Sequence, residues 1–506
     1  MLFSVYTLGC KLNQLETEAI TDSFRREGFS PMRIFSSEND NAQNYGQASA
    51  GPSVIVVNTC TVTSMADQKA RRIIRKALKD YPASCIIVTG CYAQLEGASL
   101  SSLDAERLFV VSGEIKDCLL DLPRFLKEAG IDGEKAITLK ALSGIISSWL
   151  DSLSGESLSS SVPQCQSETP FKEIPERAFR FKPENFSSHS RSFIKIQDGC
   201  DSSCTYCRVS LARGRSRSLG ASDILDELIS LERRGFSEAV LTGVNISQYR
   251  DLKLEATGLP ALLEFILRGT STIRLRLSSI EGDGLTEEFF RVLENPRIRP
   301  HFHLSLQSLS ASILEGMGRT YTAEDVKKAI AQIRSVRRDP FLACDIIAAF
   351  PGETEKDFEE TFLFCREAGF AWIHAFPFSP RPGTAAFDLG GRVNAKTAVT
   401  RVGKLSDLAR KGRRDYISRW EGKEVEAIVE SSKNKASSCQ KGPNREESSA
   451  SVPAVSENYL RLLVNCTDNS IPAPGSLVQC RILRAADSMV DNTAGGRFDA
   501  LAERIG

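Results

Sequence analysis

The first 135 residues alternate short, continuously apolar runs with segments in which apolar residues recur at the spacing of a helix. The apolar runs predict strands at residues 3–8, 54–57, 85–88 and 108–111. Helical periodicity follows three of these runs, at residues 14–26, 66–79 and 115–128. Strands that are apolar on both faces and alternate with helices are typical of a doubly wound parallel sheet, so we expect an α/β domain over residues 1–135.

The alternation returns between residues 191 and 420, after a Ser-rich linker at residues 136–190 that predicts only a short amphipathic turn near residues 145–150. Apolar runs in this central part predict strands at 193–196, 239–242, 273–277, 302–306, 341–347 and 372–376. Helical segments separate most of them. Repeated strand–helix units of this kind predict a parallel (β/α) barrel or partial barrel, with its active site at the carboxyl ends of the strands.

The last part of the chain has a different pattern. Strands at residues 425–429, 459–464 and 477–482 predict a small β-barrel over residues 421–484, with an insertion at 431–457 and a tail at 485–506. Small β-barrels commonly bind oligonucleotides. Residues 401–423 hold eight lysines and arginines but three acidic residues, which predicts either a solvated helix face or a surface for phosphates.

Three cysteines of the first domain each come directly after a predicted strand. They are Cys10, Cys60 and Cys91. The carboxyl ends of parallel strands meet at one edge of the sheet, so we expect the three thiols to converge there on a metal cluster. The alternative is a set of structural core cysteines, but a core cysteine lies within its strand, as Cys85 is predicted to do.

Three further cysteines follow the first strand of the central domain at the spacing C-x3-C-x2-C: Cys200, Cys204 and Cys207. A structural zinc site needs four protein ligands, and no fourth cysteine is near. Three thiolates suit a cubane iron–sulfur cluster with one open iron, which can bind a substrate or cofactor. Unrelated thiols, or a zinc site completed from elsewhere in the chain, are the alternatives.

Composition and length narrow the class of protein. With 506 residues the chain predicts two to four domains, and its net charge of zero requires any nucleic-acid surface to be local. The apolar runs are too short to cross a membrane, and the N-terminus has no basic segment typical of a signal peptide. We therefore expect a cytoplasmic protein without a membrane partner, in which fourteen cysteines indicate metal or redox chemistry rather than disulfides.

The sequence motifs around both cysteine sets resemble those of the methylthiotransferase family of radical S-adenosylmethionine enzymes. Gln-Asp-Gly-Cys and Ala-Arg-Gly-Arg flank the C-x3-C-x2-C motif, and the other set reads Thr-Leu-Gly-Cys-Lys-Leu-Asn-Gln, Asn-Thr-Cys-Thr-Val-Thr and Thr-Gly-Cys-Tyr-Ala-Gln. The resemblance implies an N-terminal cluster domain, a radical SAM partial barrel and a C-terminal TRAM-like RNA-binding barrel. It also implies two [4Fe–4S] clusters, one on each cysteine set, with S-adenosylmethionine on the open iron of the second.

The family implies a reaction and partners as well. A 5′-deoxyadenosyl radical would take hydrogen from C2 of adenosine 37 in tRNA, and the cluster on Cys10, Cys60 and Cys91 would supply the methylthio group. An electron donor and a sulfur donor would be needed. The wording Gly-Cys-Lys-Leu-Asn-Gln is similar to the branch that acts on N6-threonylcarbamoyladenosine. Isopentenyladenosine and a ribosomal-protein aspartate remain alternative substrates, and a non-catalytic, zinc-stabilised RNA-binding protein remains an alternative class.

The resemblance also suggests contacts beyond the cysteines. The residues expected to bind S-adenosylmethionine are Tyr206, Gly243, Ser279, Glu281 and Gln307. For Arg213, Arg215 and Arg217, phosphate contact beside the reacting base and a solvated basic loop are equally favoured. This sequence departs from the residues usual in the family's motifs at four positions, which puts substrate contacts in doubt. They are Arg208, Ser210, Leu219 and Leu309. For His301, His303 and His374 we favour hydrogen-bonded or core histidines over metal ligands.

Overall fold

The computed structural model describes residues 1–35, 51–131, 138–155, 175–183, 191–254, 257–431, 450–466, 471–486 and 498–505. The chain forms two compact units. Unit 1 contains residues 1–185, 198–200 and 207–217, and unit 2 contains residues 186–197, 201–206 and 218–506. The segment that carries the C-x3-C-x2-C motif therefore contributes residues to both units.

Unit 1 is built on one parallel sheet. Its elements are β1 (Leu2–Thr7), α1 (Lys11–Arg26), β2 (Ser30–Pro31), β3 (Val54–Thr59), α2 (Ser64–Asp80), β4 (Cys85–Gly90), α3 (Cys91–Ser101), β5 (Leu108–Val110), α4 (Leu122–Glu128) and α5 (Leu139–Gly155), with 3₁₀ turns at Lys116–Leu120 and Pro175–Phe179. The strand order is β2-β1-β3-β4-β5, with every neighbouring pair parallel. This confirms the predicted doubly wound sheet.

The continuous apolar runs are explained by burial on both faces of the sheet. Val54 and Val56 pack with residues of α1, α4 and α5 on one face, whereas Ile55 and Val57 pack with α2 and α3 on the other. Each of these four side chains is fully buried, which contributes roughly 1.5–3 kcal/mol per residue. Strands β3 and β4 are therefore central strands with a helix layer on each side.

The predicted Ser-rich linker contains more structure than a short turn. Helix α5 covers Leu139–Gly155, and its residues Leu142, Ile146 and Trp149 are buried in the same core cluster as Phe3. The apolar residues of this segment recur at helical spacing among many serines. The serine-rich composition therefore led to the prediction of a linker where the structure has helix α5. The remainder of the predicted linker lies largely outside the described residues.

The central part of the chain begins with β6 (Ser192–Lys195), β7 (Gln197–Asp198), α6 (Val209–Arg213) and β8 (Arg217–Ser218). The elements that follow are α7 (Ala221–Arg233), β9 (Glu238–Thr242), α8 (Leu259–Gly269), β10 (Arg274–Leu277), β11 (Ile280–Glu281), α9 (Glu287–Val292), β12 (His301–Gln307), α10 (Ala311–Gly316), α11 (Ala323–Val336), β13 (Phe341–Ala348), α12 (Glu355–Ala368), β14 (Trp372–Pro377) and α13 (Ala395–Trp420), with 3₁₀ turns at Ile246–Gln248, Gly282–Gly284 and Ala385–Phe387.

The strands of this part form two parallel sheets, ordered β10-β9-β6 and β11-β12-β13-β14. A bridge between Leu275 of β10 and Ile298 brings the second sheet alongside the first. One large core cluster lies between the strands and helices α7 to α13. The arrangement confirms the predicted partial barrel. It also explains two departures from the family wording, because Leu309 is buried and Leu219 packs against this core.

The C-terminal strands close into a barrel in the order β15-β16-β17-β19-β18. They are β15 (Glu424–Val429), β16 (Ala450–Ser456), β17 (Arg461–Cys466), β18 (Leu477–Ala485) and β19 (Ala500–Arg504). The barrel confirms the predicted fold of this part but corrects two boundaries. Strand β16 lies inside the predicted insertion at 431–457, and β19 lies inside the predicted tail at 485–506.

Buried charges join this barrel to the strands of the central part. Glu238 accepts from Arg276 at 2.7 Å and from Arg299 at 2.9 Å, and Arg299 also donates to Glu426 of β15 at 2.8 Å. Several cations of the basic segment 401–423 are engaged within unit 2 as well. Arg401 pairs with Glu353, Arg410 with Asp407, Arg413 with Asp499, and Arg419 with Asp339. Three of these partners, Glu353, Asp499 and Asp339, lie outside the segment, so they offset part of its local surplus of positive charge.

Among the described residues, no helix combines the length and the apolar character that crossing a membrane requires.

Candidate iron–sulfur and cofactor sites

The three separated cysteines of unit 1 lie at the carboxyl ends of three neighbouring strands. Cys10 follows β1 and precedes the first residue of α1, Cys60 directly follows β3, and Cys91 is the first residue of α3, directly after β4. The sheet order reverses between β1 and β3, and ligands of open α/β sheets bind at such a reversal. The structure therefore places the set where the sequence predicts it.

Two glycines let the three cysteine loops approach one another. Gly9 has φ +103°, and a Cβ atom there would lie 2.6 Å from Sγ of Cys60. Gly90 has φ +95°, and a Cβ atom there would lie 2.3 Å from the carbonyl oxygen of Thr59. Any larger residue at either position would be strained and would push the loops apart.

Asn13 connects two of these loops. Its side-chain amide donates to the carbonyl oxygen of Leu8 at 2.7 Å and to that of Thr59 at 2.9 Å. The first bond holds the loop that leads to Cys10, and the second holds the loop that leads to Cys60. Asn13 is fully buried, so these bonds are protected from exchange with water.

Arg213 completes this network from the segment that follows the second motif. Its Nε donates to Sγ of Cys91 at 3.2 Å, and its Nη2 donates to Oδ1 of Asn13 at 3.0 Å. Its Nη1 donates to Glu16 at 3.2 Å and to Asp198 at 3.0 Å. The side chain is 5% exposed. For Arg213 the sequence left phosphate contact and a solvated basic loop equally favoured; in the structure its guanidinium bonds to protein groups. Arg215, in contrast, is exposed, and Arg217 is half-buried.

The electrostatics of this site are set by burial of the thiols and by the charge of Arg213. Burial raises the pKa of the Cys60 thiol to about 12, while the nearby guanidinium of Arg213 opposes that rise. The pKa of Arg213 is raised, because the Cys91 thiol and the carboxyls of Glu16 and Asp198 outweigh the effect of burial, so the side chain stays cationic.

The donor set of unit 1 fits an iron–sulfur cluster. Apart from the three cysteines of the C-x3-C-x2-C motif, the other cysteines of the described residues lie in cores or strands: Cys85, Cys118, Cys344, Cys365, Cys466 and Cys480 are all buried. The set thus offers three soft thiol ligands beside one fixed cation, Arg213. Thiolates select iron–sulfur clusters and zinc, and a closed zinc site would need a fourth ligand.

The C-x3-C-x2-C motif lies in a loop whose ends are fixed on both sides. Cys200 donates its backbone N–H to the carbonyl oxygen of Gly214 at 3.1 Å. Gly199 has φ +72°, and a Cβ atom there would lie 1.9 Å from the carbonyl oxygen of Arg215. The backbone N–H of Val209 donates to Sγ of Cys207 at 3.4 Å. Such a donor stabilises a thiolate ligand, so the motif also fits a cluster.

The middle of the motif is held by unit 2. Thr205 donates its N–H to the carbonyl oxygen of Met317 at 3.1 Å and its hydroxyl to that of Gly316 at 2.8 Å, and it accepts from the N–H of Ala386 at 2.8 Å. One departure from the family wording also has a clear role in unit 1. Arg208 forms an ion pair with Glu96 at 3.2 Å.

Two of the predicted cofactor residues, Tyr206 and Glu281, are joined by an arginine that the sequence did not single out. Arg319 donates to the Tyr206 hydroxyl at 2.7 Å and also pairs with the Glu281 carboxylate. Burial raises the pKa of Glu281, and Arg319 opposes that rise. Arg319 follows Gly318 after helix α10, and nothing in that local sequence signals a binding residue. Only the fold brings the three side chains together.

Ser279 belongs to a chain of polar side chains inside the partial barrel. Its hydroxyl bonds Nδ1 of His303 at 2.8 Å, and Nε2 of His303 bonds Asp345 at 3.0 Å. His374 lies close enough for the three residues to offer ligand atoms within 4.8 Å of one another. However, Trp372 donates its indole N–H to Nδ1 of His374 at 3.2 Å, which places the proton of a neutral His374 on Nε2. This favours the predicted hydrogen-bonded histidines over a metal set.

The last two predicted cofactor residues occupy special backbone positions. Gln307, at the end of β12, has φ +63°, which is rare for a residue other than glycine. Ala349 has φ +65° directly after β13, the next strand. Strained residues at neighbouring strand ends are characteristic of functional sites. A Cβ atom on Gly243 would lie 2.9 Å from Oε1 of Gln197, so glycine permits that close approach.

Models of known protein families match two parts of the chain. Residues 3–112 match a family described as uncharacterized protein family UPF0004, and residues 194–365 match the radical SAM superfamily. Among solved structures, the radical S-adenosylmethionine methyltransferase TsrM from Kitasatospora setae has a TM-score of 0.49 at 17% identity, covering 76% of this chain and 77% of that chain.

Sequence relatives are more specific. The chain is 42% identical over 460 residues to "Threonylcarbamoyladenosine tRNA methylthiotransferase MtaB" of Treponema pallidum, covering 85% of this chain and 92% of the relative. It is 29% identical to the protein of the same name in Bacillus subtilis, covering 95% and 93%. It is also 28% identical to "tRNA-2-methylthio-N(6)-dimethylallyladenosine synthase" of Chlorobaculum tepidum, covering 87% and 89%. The chain belongs to the methylthiotransferase family of radical S-adenosylmethionine enzymes, whose cofactors are S-adenosylmethionine and two [4Fe–4S] clusters.

Proposed function

We propose that this protein methylthiolates C2 of N6-threonylcarbamoyladenosine at position 37 of tRNA. The observation that carries the proposal is the pair of three-cysteine sets, one in the radical SAM match and one at the sheet edge of unit 1. A relative 42% identical over almost its full length bears the name of this activity. The location we infer is the cytoplasm, where tRNA is found.

Each cysteine set has its own role in this proposal. Cys200, Cys204 and Cys207 hold the cluster to which S-adenosylmethionine binds, and Cys10, Cys60 and Cys91 hold the cluster that delivers sulfur. When bound, these groups supply a carbon radical on the substrate and the sulfur that combines with it. The backbone N–H of Val209 supports one set, and Arg213 and Asn13 support the other. A reductant and a source of sulfur complete the list of partners.

The polar group of Tyr206, Arg319 and Glu281 orients the cofactor. Arg319 holds both partners, and the three side chains lie at or beyond the carboxyl ends of the barrel strands, where barrel active sites form. Glu281 offers a carboxylate to hydroxyl or ammonium groups of S-adenosylmethionine, and Tyr206 offers an aromatic face to its adenine. The strained backbone of Gln307 and the glycine at 243 shape the same end of the strands.

The exposed basic face of α2 gives the RNA a surface on unit 1. The exposed cations of this helix are Lys69, Arg71, Arg72, Arg75, Lys76 and Lys79. The helix has two carboxylates of its own: Asp67 is buried and accepts from Thr61, and Asp80 pairs with Lys76. The helix begins four residues after Cys60, so its basic face starts beside the sulfur site. Phosphates bind such faces without sequence preference.

A second substrate has support from one specific observation. The alignment with the relative named for dimethylallyladenosine covers 89% of that relative at 28% identity, so the two branches share both domains. The same scaffold therefore serves both modified adenosines. Substrate choice depends on contacts around the reacting base, and not on the cysteine sets.

The decisive experiment is a reconstituted anaerobic assay with S-adenosylmethionine, a chemical reductant and tRNA that carries either threonylcarbamoyl- or isopentenyladenosine. The nucleosides are then identified by mass spectrometry. We expect a methylthio adduct on the threonylcarbamoyl nucleoside only. An adduct on the isopentenyl nucleoside alone would assign the protein to the other branch. Formation of 5′-deoxyadenosine without a tRNA product would leave the radical chemistry and reject the substrate. Zinc without acid-labile sulfide would reject the enzyme class.

A further inference from the structure

Arg213 makes a set of buried contacts that RNA binding would not explain. It is the last residue of α6, six residues after Cys207, and its side chain is buried in unit 1. Its Nε–H is directed at Sγ of Cys91 at 3.2 Å. Sulfur is a weak acceptor when protonated and a strong one as a metal-bound thiolate, so this bond gains strength once a cluster is bound.

The rest of the guanidinium fixes the direction of that bond. Nη1 is shared by the carboxylates of Glu16 and Asp198, and Nη2 donates to Asn13. Glu16 is fully buried and is also paired with Lys116. With each nitrogen directed at a different acceptor, the planar side chain has a single orientation. A flexible ammonium group in its place would not be held in this way.

Arg213 also reaches the other two cysteine loops through one residue. Asn13 accepts from Arg213 with its oxygen and donates with its nitrogen to the carbonyl oxygens of Leu8 and Thr59. Those carbonyls lie immediately before Gly9-Cys10 and Cys60. One cation is thus coupled directly to one ligand and, through Asn13, to the loops that carry the other two.

We propose that Arg213 is a positioning residue for the sulfur-delivering cluster: it orients the ligand Cys91 and raises the reduction potential of a cluster bound by Cys10, Cys60 and Cys91. Hydrogen bonds to cluster sulfurs and nearby positive charge stabilise the reduced, more negative state. The inference rests on the proposed function, because it assumes that these cysteines hold a cluster.

The test isolates this cluster in the full-length chain. Cys200, Cys204 and Cys207 are replaced by alanine, so that only the cluster of interest contributes to an EPR-monitored redox titration. Into this parent we introduce Arg213→Gln, Arg213→Lys or the matched control Arg215→Gln, whose arginine is exposed and lies two residues further along the chain. Iron retention against a chelator and thermal unfolding are measured on the same samples.

We expect Arg213→Gln to shift the midpoint potential to more negative values and to weaken iron retention about 10- to 100-fold. Arg213→Lys keeps the charge but loses the directed N–H, so it should fall between Gln and the parent. Arg215→Gln should match the parent. If Arg213→Gln does not fold, the Arg213→Lys variant decides in the same way.

Two outcomes would overturn the inference, and they differ in meaning. An unchanged potential and unchanged iron retention in the Arg213 variants, even with a lower melting temperature, would reduce the residue to a structural one while leaving the proposed function intact. A parent that binds no iron with acid-labile sulfide would reject the cofactor assignment of Cys10, Cys60 and Cys91 itself, and the inference with it.

Discussion

The two cysteine sets differ in how much of the fold each of them needs. Cys200, Cys204 and Cys207 lie within eight consecutive residues, so one loop supplies every ligand. Cys10, Cys60 and Cys91 lie at the ends of three strands, and the sheet must form before they can meet. A ligand set carried by one loop depends on local backbone geometry, whereas a set gathered by a sheet depends on everything that holds the strand ends together.

The supporting residues reflect this difference. In the loop set, Cys200, Cys204 and Cys207, a direct bond to a ligand sulfur comes from a neighbour in sequence, the N–H of Val209 bonded to Cys207, while Thr205 between the ligands is bonded to the distant residues Met317 and Ala386. The strand-end set is supported by side chains distant in sequence, namely Asn13 and Arg213, which are 200 residues apart. Support of the second kind is easily lost by substitutions far from the cysteines.

The largest effects should come from removing one ligand of each set. Cys204→Ala should abolish both 5′-deoxyadenosine and the methylthio nucleoside, since S-adenosylmethionine then has no cluster to bind. Cys60→Ala should keep 5′-deoxyadenosine formation and lose the methylthio product. Each variant should lose about half of the bound iron, because each set holds one of two equal clusters. The readouts are iron content and both products by mass spectrometry.

A methylthio product from Cys60→Ala would contradict the division of roles between the two sets. The matched control is Cys365→Ala, a buried cysteine of α12 that belongs to the core and to neither set. Both products should persist in that variant, with some loss of stability from the small cavity.

A next-largest effect should follow from one methyl group at Gly9. In Gly9→Ala the new Cβ would lie 2.6 Å from Sγ of Cys60, so the strand-end set should lose its cluster. Gly28→Ala is the matched control, because Gly28 also has a positive φ, +89°, but has no atom within 4 Å of such a Cβ. Both should lose roughly 1–2 kcal/mol of stability through backbone strain. Iron content separates them, and equal iron in both variants would show that the site tolerates displacement of Cys60.

The sequence was sufficient to predict the features that follow from local residue patterns. The alternation of apolar runs predicted the parallel sheet, and the position of Cys10, Cys60 and Cys91 after strands predicted their common edge. It failed where long-range packing decides. Arg213 reads as part of a basic loop, and only the folded chain shows it buried against Cys91. Arg319 gave no local signal, because its partners Tyr206 and Glu281 come from other segments.

Composition misled the prediction in the two serine-rich regions for a different reason. Helix α5 and strand β16 both lie in or beside polar insertions, and their apolar residues are too few to dominate a sequence window. Strand β19 is five residues long near the end of the chain and gains its stability by pairing with β17 and β18. Short elements that depend on distant partners carry little local signal.

Acid should change the stability of the two units differently. Unit 1 holds Cys10, Cys60 and Cys91, and unit 2 holds Thr205 and Cys204. In unit 2, Arg276 and Arg299 lower the pKa of Glu238 to about 2 in spite of its burial. This pKa is below the ordinary value of 4.5 for a glutamate. The ionised Glu238, paired with its two arginines, therefore stabilises unit 2 above pH 4.5, and this contribution is lost as the pH falls towards 2. The shift corresponds to roughly 3 kcal/mol. In unit 1, burial raises the pKa of Asp117, so its contribution is present in acid and lost as the pH rises.

Urea unfolding of the metal-free chain at pH 5 and pH 3 measures this difference. Trp149 belongs to unit 1, whereas Trp372 and Trp420 belong to unit 2, so the Trp149→Phe variant reports on unit 2 alone. We expect the unit 2 transition to move to lower urea at pH 3. In Glu238→Gln the stability at pH 5 should already be low and its dependence on pH smaller. An equal acid shift in Glu238→Gln would mean that another carboxyl is responsible.

The smallest effect concerns the path of the RNA past the two sets. Arg75 lies on the exposed face of α2, downstream of Cys60, and Arg215 lies downstream of Cys207. If a phosphate contacts either side chain, its replacement by glutamine should weaken tRNA binding for every sequence alike and reduce the slope of log affinity against log salt by about one. Lys327→Gln, an exposed cation on α11, is the control. A reduced slope in Arg75→Gln with normal 5′-deoxyadenosine formation would place the RNA against the sulfur-delivering unit. An effect in Arg215→Gln alone would instead place the RNA against the segment that follows the radical SAM motif.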